Sequence, residues 1–255
     1  MSNYDRYANP RPGAGYARSG VAVDQGLRAY MIGVYNYMTL GLGVTGLVAY
    51  AAFTLGTVDV GNGRLALTDF GHTIYASPLR WLIVLSPLAL VFWLSARLNS
   101  MSVATARNAF IAFAALIGLS MSALLVVYTG ASIGRAFFAA AAAFASLSLY
   151  GYTTQRSLSA MGSFMMMGVI GLIVAGLLNM FLHSNGLQFG ISLLAVVIFA
   201  GLTAWDTQSI KQMYAGGDSY EMVHKKSIHG ALRLYLDFIN MFQAILMLTG
   251  SQRNS

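Results

Sequence analysis

The chain has 255 residues, of which 57% are hydrophobic and only 9% charged. A soluble domain carries about 25% charged residues, so this composition excludes a water-facing globular surface; the apolar content also excludes disorder, and the absence of cysteine excludes a disulfide scaffold. The formal net charge of +7 comes from basic residues set singly between apolar runs and not from a basic, aromatic-interleaved face, which argues against nucleic acid. An integral membrane protein remains, in contact with the lipid bilayer, with its excess positive charge marking the inner side.

Residues 1–27 are rich in Tyr, Arg, Gly and Pro and read as a flexible cytoplasmic tail. The apolar run that follows is too long for a signal peptide and lacks a small-residue cleavage site, so it is a retained helix. A helix crossing the hydrocarbon core needs about 20 mostly apolar residues. Seven such segments follow in order, at about 30–56, 78–99, 104–129, 132–153, 159–183, 187–213 and 228–250. The fifth and sixth are separated by the turn signal His183-Ser184-Asn185-Gly186. The runs are continuously apolar and do not alternate as barrel strands would, which makes residues 28–250 an all-α domain of seven transmembrane helices. Residues 251–255 form a short C-terminal tail.

With the N-terminus placed inside, Arg6, Arg11, Arg18, Arg28, Arg97, Arg107, Arg156, Lys211, Lys225 and Lys226 lie on the inner side. Only Arg64, Arg80, Arg135 and Arg253 lie outside, so the expected orientation is N-in. Seven full spans put the C-terminus outside; a re-entrant last segment, broken by Arg233 and Asp237, would return it inside. Glycines such as Gly41, Gly43, Gly46, Gly168 and Gly171 read as close helix packing in lipid.

Ionisable groups deep in a span are costly and mark function. Two acids stand there, Asp206 and Asp237. Asp206 precedes the inner end of its helix, near Tyr214, by roughly 12 Å; Asp237 follows the start of the next, near Ile228, by roughly 13 Å. The two antiparallel helices therefore set both acids at one level. Thr203, Asp206 and Ser209 share a face of one helix, and Arg233, Asp237 and Asn240 share a face of the next. Two carboxylates in contact do not both ionise readily, so such a pair shares a proton and acts as a pH switch: the proton holds the helices together, and its loss separates them or recruits a cation. Local pairing of Asp237 with Arg233, and of Asp206 with Thr203 or Lys211, is the alternative.

The stretches Gly201–Tyr214 (GLTAWDTQSIKQMY) and Ala231–Phe242 (ALRLYLDFINMF) resemble the sixth- and seventh-helix signatures of the Bax inhibitor-1 (transmembrane Bax-inhibitor-motif) family. Tyr128–Ser132 (YTGAS) and Ser148–Thr154 (SLYGYTT) resemble its bacterial branch. The resemblance covers about Gly26 to Gly250. It implies a seven-helix fold with the last helix central, and a pH-sensing aspartate pair carried by Asp206 and Asp237. It also implies a basic partner near the inner end of the second helix, for which Arg97 is the candidate. Members resemble proton-sensitive calcium leak channels, while some bacterial members instead bind and restrain a membrane-bound ATP-dependent protease. The sequence departs from some leak members in having no acid in its second span and no charged cluster in Ser251–Ser255.

The expected function is a pH-sensitive cation leak, with calcium as cargo, in the bacterial inner membrane. The alternative is a non-conducting regulator of a membrane protease or another membrane partner. Calcium prefers six to eight oxygen ligands, so Asp206 and Asp237 with Asn240, Thr203 and water make only a weak, transient metal contact, as passage requires. An enzymatic role is not expected. An intramembrane aspartyl protease would carry Tyr-Asp and Gly-x-Gly-Asp, whereas the pairs here are Trp205-Asp206 and Leu236-Asp237 with no Gly-x-Gly before Asp237. No nucleotide or redox cofactor motif is present. His224 and His229, five apart, read as solvated residues flanking the inner loop, and Met161, Met165, Met166 and Met167 as adaptable packing.

Overall fold

A computed structural model describes residues 13–61, 64–97 and 100–253, with side chains from residue 25 onward. Helix α1 spans Gly13–Gly56. A short antiparallel hairpin follows, β1 (Thr57–Asp59) with β2 (Leu65–Leu67), in the register Thr57 opposite Leu67. Next come a single turn, α2 (Asp69–Gly71), a π-helical turn (His72–Ala76) and α3 (Leu79–Arg97). Then follow α4 (Val103–Val127), α5 (Gly130–Thr153), α6 (Ser159–Leu182), α7 (Asn185–Gln212) and α8 (Tyr220–Thr249). Among the described residues, seven helices are long and apolar enough to cross a membrane, namely α1 over Gln25–Gly56 and α3 to α8. The protein is an all-α integral membrane protein.

The helix starts follow from local chemistry. The side chains of Ser102, Thr129, Ser184 and Ser219 each accept a hydrogen bond from the amide three residues on, satisfying a donor that the first turn leaves free. The expected turn between α6 and α7 closes through His183, whose left-handed backbone (φ 49°) ends α6 one residue before Ser184 caps α7. Of the expected tail, residues 1–12 lie outside the described residues, and from Gly13 the backbone is helical.

Helix α8 is the centre of the bundle. Fourteen of its thirty residues are buried, whereas Gly162 is the buried residue of α6. The outward faces of α3 and α6 expose Phe92, Phe164 and Phe181 at 66–78%, as contact with lipid requires. Helices α1, α3 and α4 pack into one group and α5, α6 and α7 into another, and the two groups meet mainly through α8.

Helices α1 and α8 run parallel. Gly33 lies beside Ser227 and, eight residues on in both helices, Gly41 lies beside Tyr235. The Tyr235 hydroxyl bonds that of Thr45 at 2.6 Å, and the Thr45 hydroxyl reaches the Ala114 carbonyl at 3.0 Å, which ties α8, α1 and α4 in the buried core. Below, the end of the bundle where α1 begins is called proximal and the other distal. At the distal end α8 is pinned to the α4–α5 connection. The Thr129 amide donates to the Ser251 carbonyl (3.1 Å), the Arg253 amide to the Val127 carbonyl (2.9 Å), and the Arg253 guanidinium to the Leu125 carbonyl (3.2 Å). The last segment therefore runs the full depth of the bundle and is not re-entrant.

Its start departs from expectation. Helix α8 begins at Tyr220, not near 228, because its first two turns are amphipathic and carry the i,i+4 pair Glu221–Lys225 (2.8 Å). These turns project beyond the end of α7, and residues 213–219 fold back along them. Lys226 Nζ donates to the Met213 carbonyl at 2.8 Å and pairs with Asp218 at 2.6 Å. Lys226 holds the Asp218 carboxyl below the usual carboxylate range. A lowered carboxylate stabilises above its unfolded value and loses that effect only as pH falls through the lowered one. At pH 7 the clasp is therefore fully made. Asp218→Asn should speed hydrogen exchange at the Ala215 amide, which donates to Asp218 Oδ2 at 3.2 Å; unchanged exchange at pH 7 would show that the ion pair does not hold the loop.

Candidate functional site

The site forms where α7 and α8 cross the interior side by side. Their register is fixed by the approach of Gly230 to Ile210, the pairing of Arg233 with Asp206 and the contact of Ser192 with Met247. This register offsets the two aspartates by only about three residues, or ~4.5 Å along the axis. The depth argument thus succeeds although the start of α8 was misplaced, because the connecting segment doubles back.

Asp206 and Asp237 are 6% and 5% exposed, and their carboxyls are close enough to interact directly. Arg233 reaches across from α8. Its Nε donates to Asp206 Oδ2 at 3.2 Å, its Nη2 pairs with Asp206 Oδ1, and its Nη1 donates to Ser209 Oγ at 3.3 Å. Such a fork is the strong form of a carboxylate bond. The indole of Trp205 lies under the guanidinium, with the ring centroid 5.2 Å from its central carbon. Trp205 is itself seated on Gly162, where a Cβ would collide with the indole, so α6 holds the ring that holds the arginine. Asp237 Oδ2, by contrast, is buried and takes no hydrogen bond among the described residues. The cluster counts two carboxyls against one guanidinium and is neutral when it holds one proton.

Of the expected site residues, Asp206, Asp237, Ser209 and Arg233 come together. Asn240 lines the same cavity, of about 750 Å³, and donates its Nδ2 to the Leu236 carbonyl at 2.8 Å. Thr203 does not join them: fully buried, its hydroxyl turns back to the Phe199 carbonyl at 2.8 Å. Arg97 does not join them either. It is exposed at the end of α3, nine residues beyond Leu88, where α3 meets the cavity, and α3 packs mainly on α4 and the π turn. Lys211, the alternative partner for Asp206, instead donates to the Tyr152 carbonyl at 2.9 Å. Among the described residues no cluster of three or more His, Cys, Asp or Glu is placed to hold a metal ion.

Among the lining residues that sequence reasoning missed are Trp205, His229, Gln243 and Gln188. His229, expected at a solvated loop, sits one turn before Arg233 in the cavity wall, while His224 remains at the proximal end against Tyr220. The signal was present: His229, Arg233, Asn240 and Gln243 recur at intervals of three, four and seven, which is one helix face.

A seven-helix membrane bundle with a buried aspartate pair and an arginine at the interface of its last two helices is the class that this fold and site define. Residues 27–254 match the family model described as "Inhibitor of apoptosis-promoting Bax1". The chain is 45% identical over 231 residues to the uncharacterised protein RP147 of Rickettsia prowazekii, an alignment that covers 91% of this chain and 93% of the relative. It is 39% identical over 231 residues to the inner membrane protein YbhL of Escherichia coli, covering 89% and 94%. A protein of Caulobacter vibrioides is 41% identical over 247 residues, covering 94% and 97%. The chain belongs to the Bax inhibitor-1 family.

Proposed function

We propose that the protein is a proton-regulated cation leak, with calcium as its cargo, working across a bacterial inner membrane with the N-terminus inside. The observation that carries the reading is the buried cluster of Asp206, Asp237 and Arg233 in the wall of a membrane-embedded cavity. With one proton the cluster is neutral, and the carboxyls hold α7 against α8. Without it, the cluster carries one net negative charge in a low-dielectric setting, which draws in a cation or parts the helices. The two carboxyls and the neutral oxygens beside them supply fewer ligands than a storage site for calcium, which suits passage. The description of YbhL as an inner membrane protein supports the location, and the excess of inner Lys and Arg supports the orientation.

Reconstitution in liposomes tests the reading. Calcium flux is expected to rise as pH rises through the titration of the pair. Asp237→Asn should leave a permanently neutral Asp206–Arg233 pair and a low flux that no longer follows pH. Flux that ignores both pH and the substitutions at Asp206 and Asp237 overturns the reading, and no flux under any condition favours the partner-binding alternative.

A further inference from the structure

The polar face of α8 does not stop at the carboxyls. Beyond Asp237 it continues through Asn240 and Gln243 to Met247, all in the wall of the same cavity, with Gln188 and Ser192 of α7 opposite. These two opposite groups are occupied: Gln188 Nε2 lies 3.5 Å from both Ser192 Oγ and Met247 Sδ, and Gln188 Oε1 accepts from Asn179 at 3.1 Å. The α8 carboxamides are not. Asn240 bonds through Nδ2, which leaves Oδ1 to the cavity, and the Gln243 side chain takes no hydrogen bond among the described residues. At a rise of 1.5 Å per residue the two stand about 4.5 and 9 Å distal to Asp237, whose own Oδ2 is unpartnered. Free carboxamides inside a span are costly, and α8 cannot rotate them away because its remaining faces are buried against α1, α4 and α5. Carboxamide oxygens are hard, neutral donors of the kind that replace part of a cation's water shell.

We propose that Asn240 and Gln243 form a second, uncharged cation station distal to the carboxyls, where a partly hydrated cation rests on carboxamide oxygens. The station gives the cavity a binding position whose ligands do not titrate. Its use in transport rests on the leak reading above, but access of a cation to these side chains is a separate fact.

The chain has no cysteine, so single cysteines can be introduced directly into the full-length protein in liposomes. Gln243→Cys and Asn240→Cys would be reacted with a trimethylammonium methanethiosulfonate and with its sulfonate counterpart. Leu178→Cys on the exposed face of α6 is the lipid-facing control. The station predicts that Gln243→Cys reacts with the cationic reagent about tenfold faster than with the anionic one and than Leu178→Cys does, and that millimolar calcium slows it. Gln243→Leu should lower calcium flux at every pH without moving its pH midpoint, and Gln243→Asn, which keeps the carboxamide, should restore it. Equal reaction with both reagents and no protection by calcium overturns the station, as does a Gln243→Cys as unreactive as Leu178→Cys. Cation-selective labelling without any flux removes the leak reading and keeps the station; flux unaffected by Gln243→Leu, with labelling absent, does the reverse.

Discussion

Arg233→Leu is expected to destabilise the folded protein by about 3–5 kcal/mol, and Arg233→Leu combined with Asp206→Asn by much less. The guanidinium makes three polar contacts, two of them to Asp206, and rests on Trp205. Leucine fills the space but leaves Asp206, only 6% exposed, with an uncompensated charge beside a second carboxyl. Removing that charge in the double variant removes most of the penalty, because a neutral amide and an alkyl chain are tolerable neighbours in a low-dielectric interior. Denaturation of the four proteins in detergent micelles measures the coupling. Single-variant effects that simply add would mean that Arg233 stabilises by packing alone and that the charge pairing is incidental.

Two substitutions in one helix should move the melting temperature in opposite directions. Gly151 of α5 abuts the backbone of Ala204 in α7: a Cβ there would fall on the Ala204 carbonyl and stand 3.0 Å from its Cα. Backbone cannot swing aside as a side chain can, so Gly151→Ala forces α5 and α7 apart and should cost about 1–3 kcal/mol. The strain enters α7 two residues from Asp206, so the same variant should disturb the site. Gly134, also in α5, has open space where its Cβ would be. Gly134→Ala should add about 0.5–1 kcal/mol, the ordinary gain in helix propensity. Thermal unfolding of the two variants side by side reads the contrast, and a shared sign would mean that α5 is not seated on α7 through Gly151.

The spans were legible because each apolar run ends on charges or turn residues: Arg28 stands near the start of the first apolar span, Arg107 and Arg156 near helix ends, and His183-Ser184 breaks the longest run. The aspartate pair was legible because antiparallel neighbours convert sequence distance from a turn into depth. What was hidden needed tertiary information. Arg233 and Asp237 sit one turn apart on α8, which suggests a local pair, yet the guanidinium forks across to Asp206. That choice depends on how α7 and α8 are rotated against each other, and the rotation is set by Gly230 meeting Ile210 and Tyr235 meeting Thr45, not by spacing along either chain. The position of Arg97 depends on which helix α3 leans on. The true start of α8 escaped because a hydropathy reading discards amphipathic turns such as Tyr220–Ser227. The hairpin of β1 and β2 escaped because three-residue strands carry too little alternation to stand out.

The bundle divides into two groups of three long helices that meet mainly through α8, and this bears on how the molecule is made. Synthesis delivers the N-terminal parts first, so both triplets enter the membrane before the helix that joins them. Until α8 arrives, α7 carries Asp206 without its guanidinium, a charge that lipid tolerates poorly. Arrival of α8 supplies the centre, the counter-charge and the distal clasp of residues 251–253 in a single step. A nascent chain stalled between α7 and α8 is thus left as two halves without their joining helix and with an intramembrane acid that has no counter-charge.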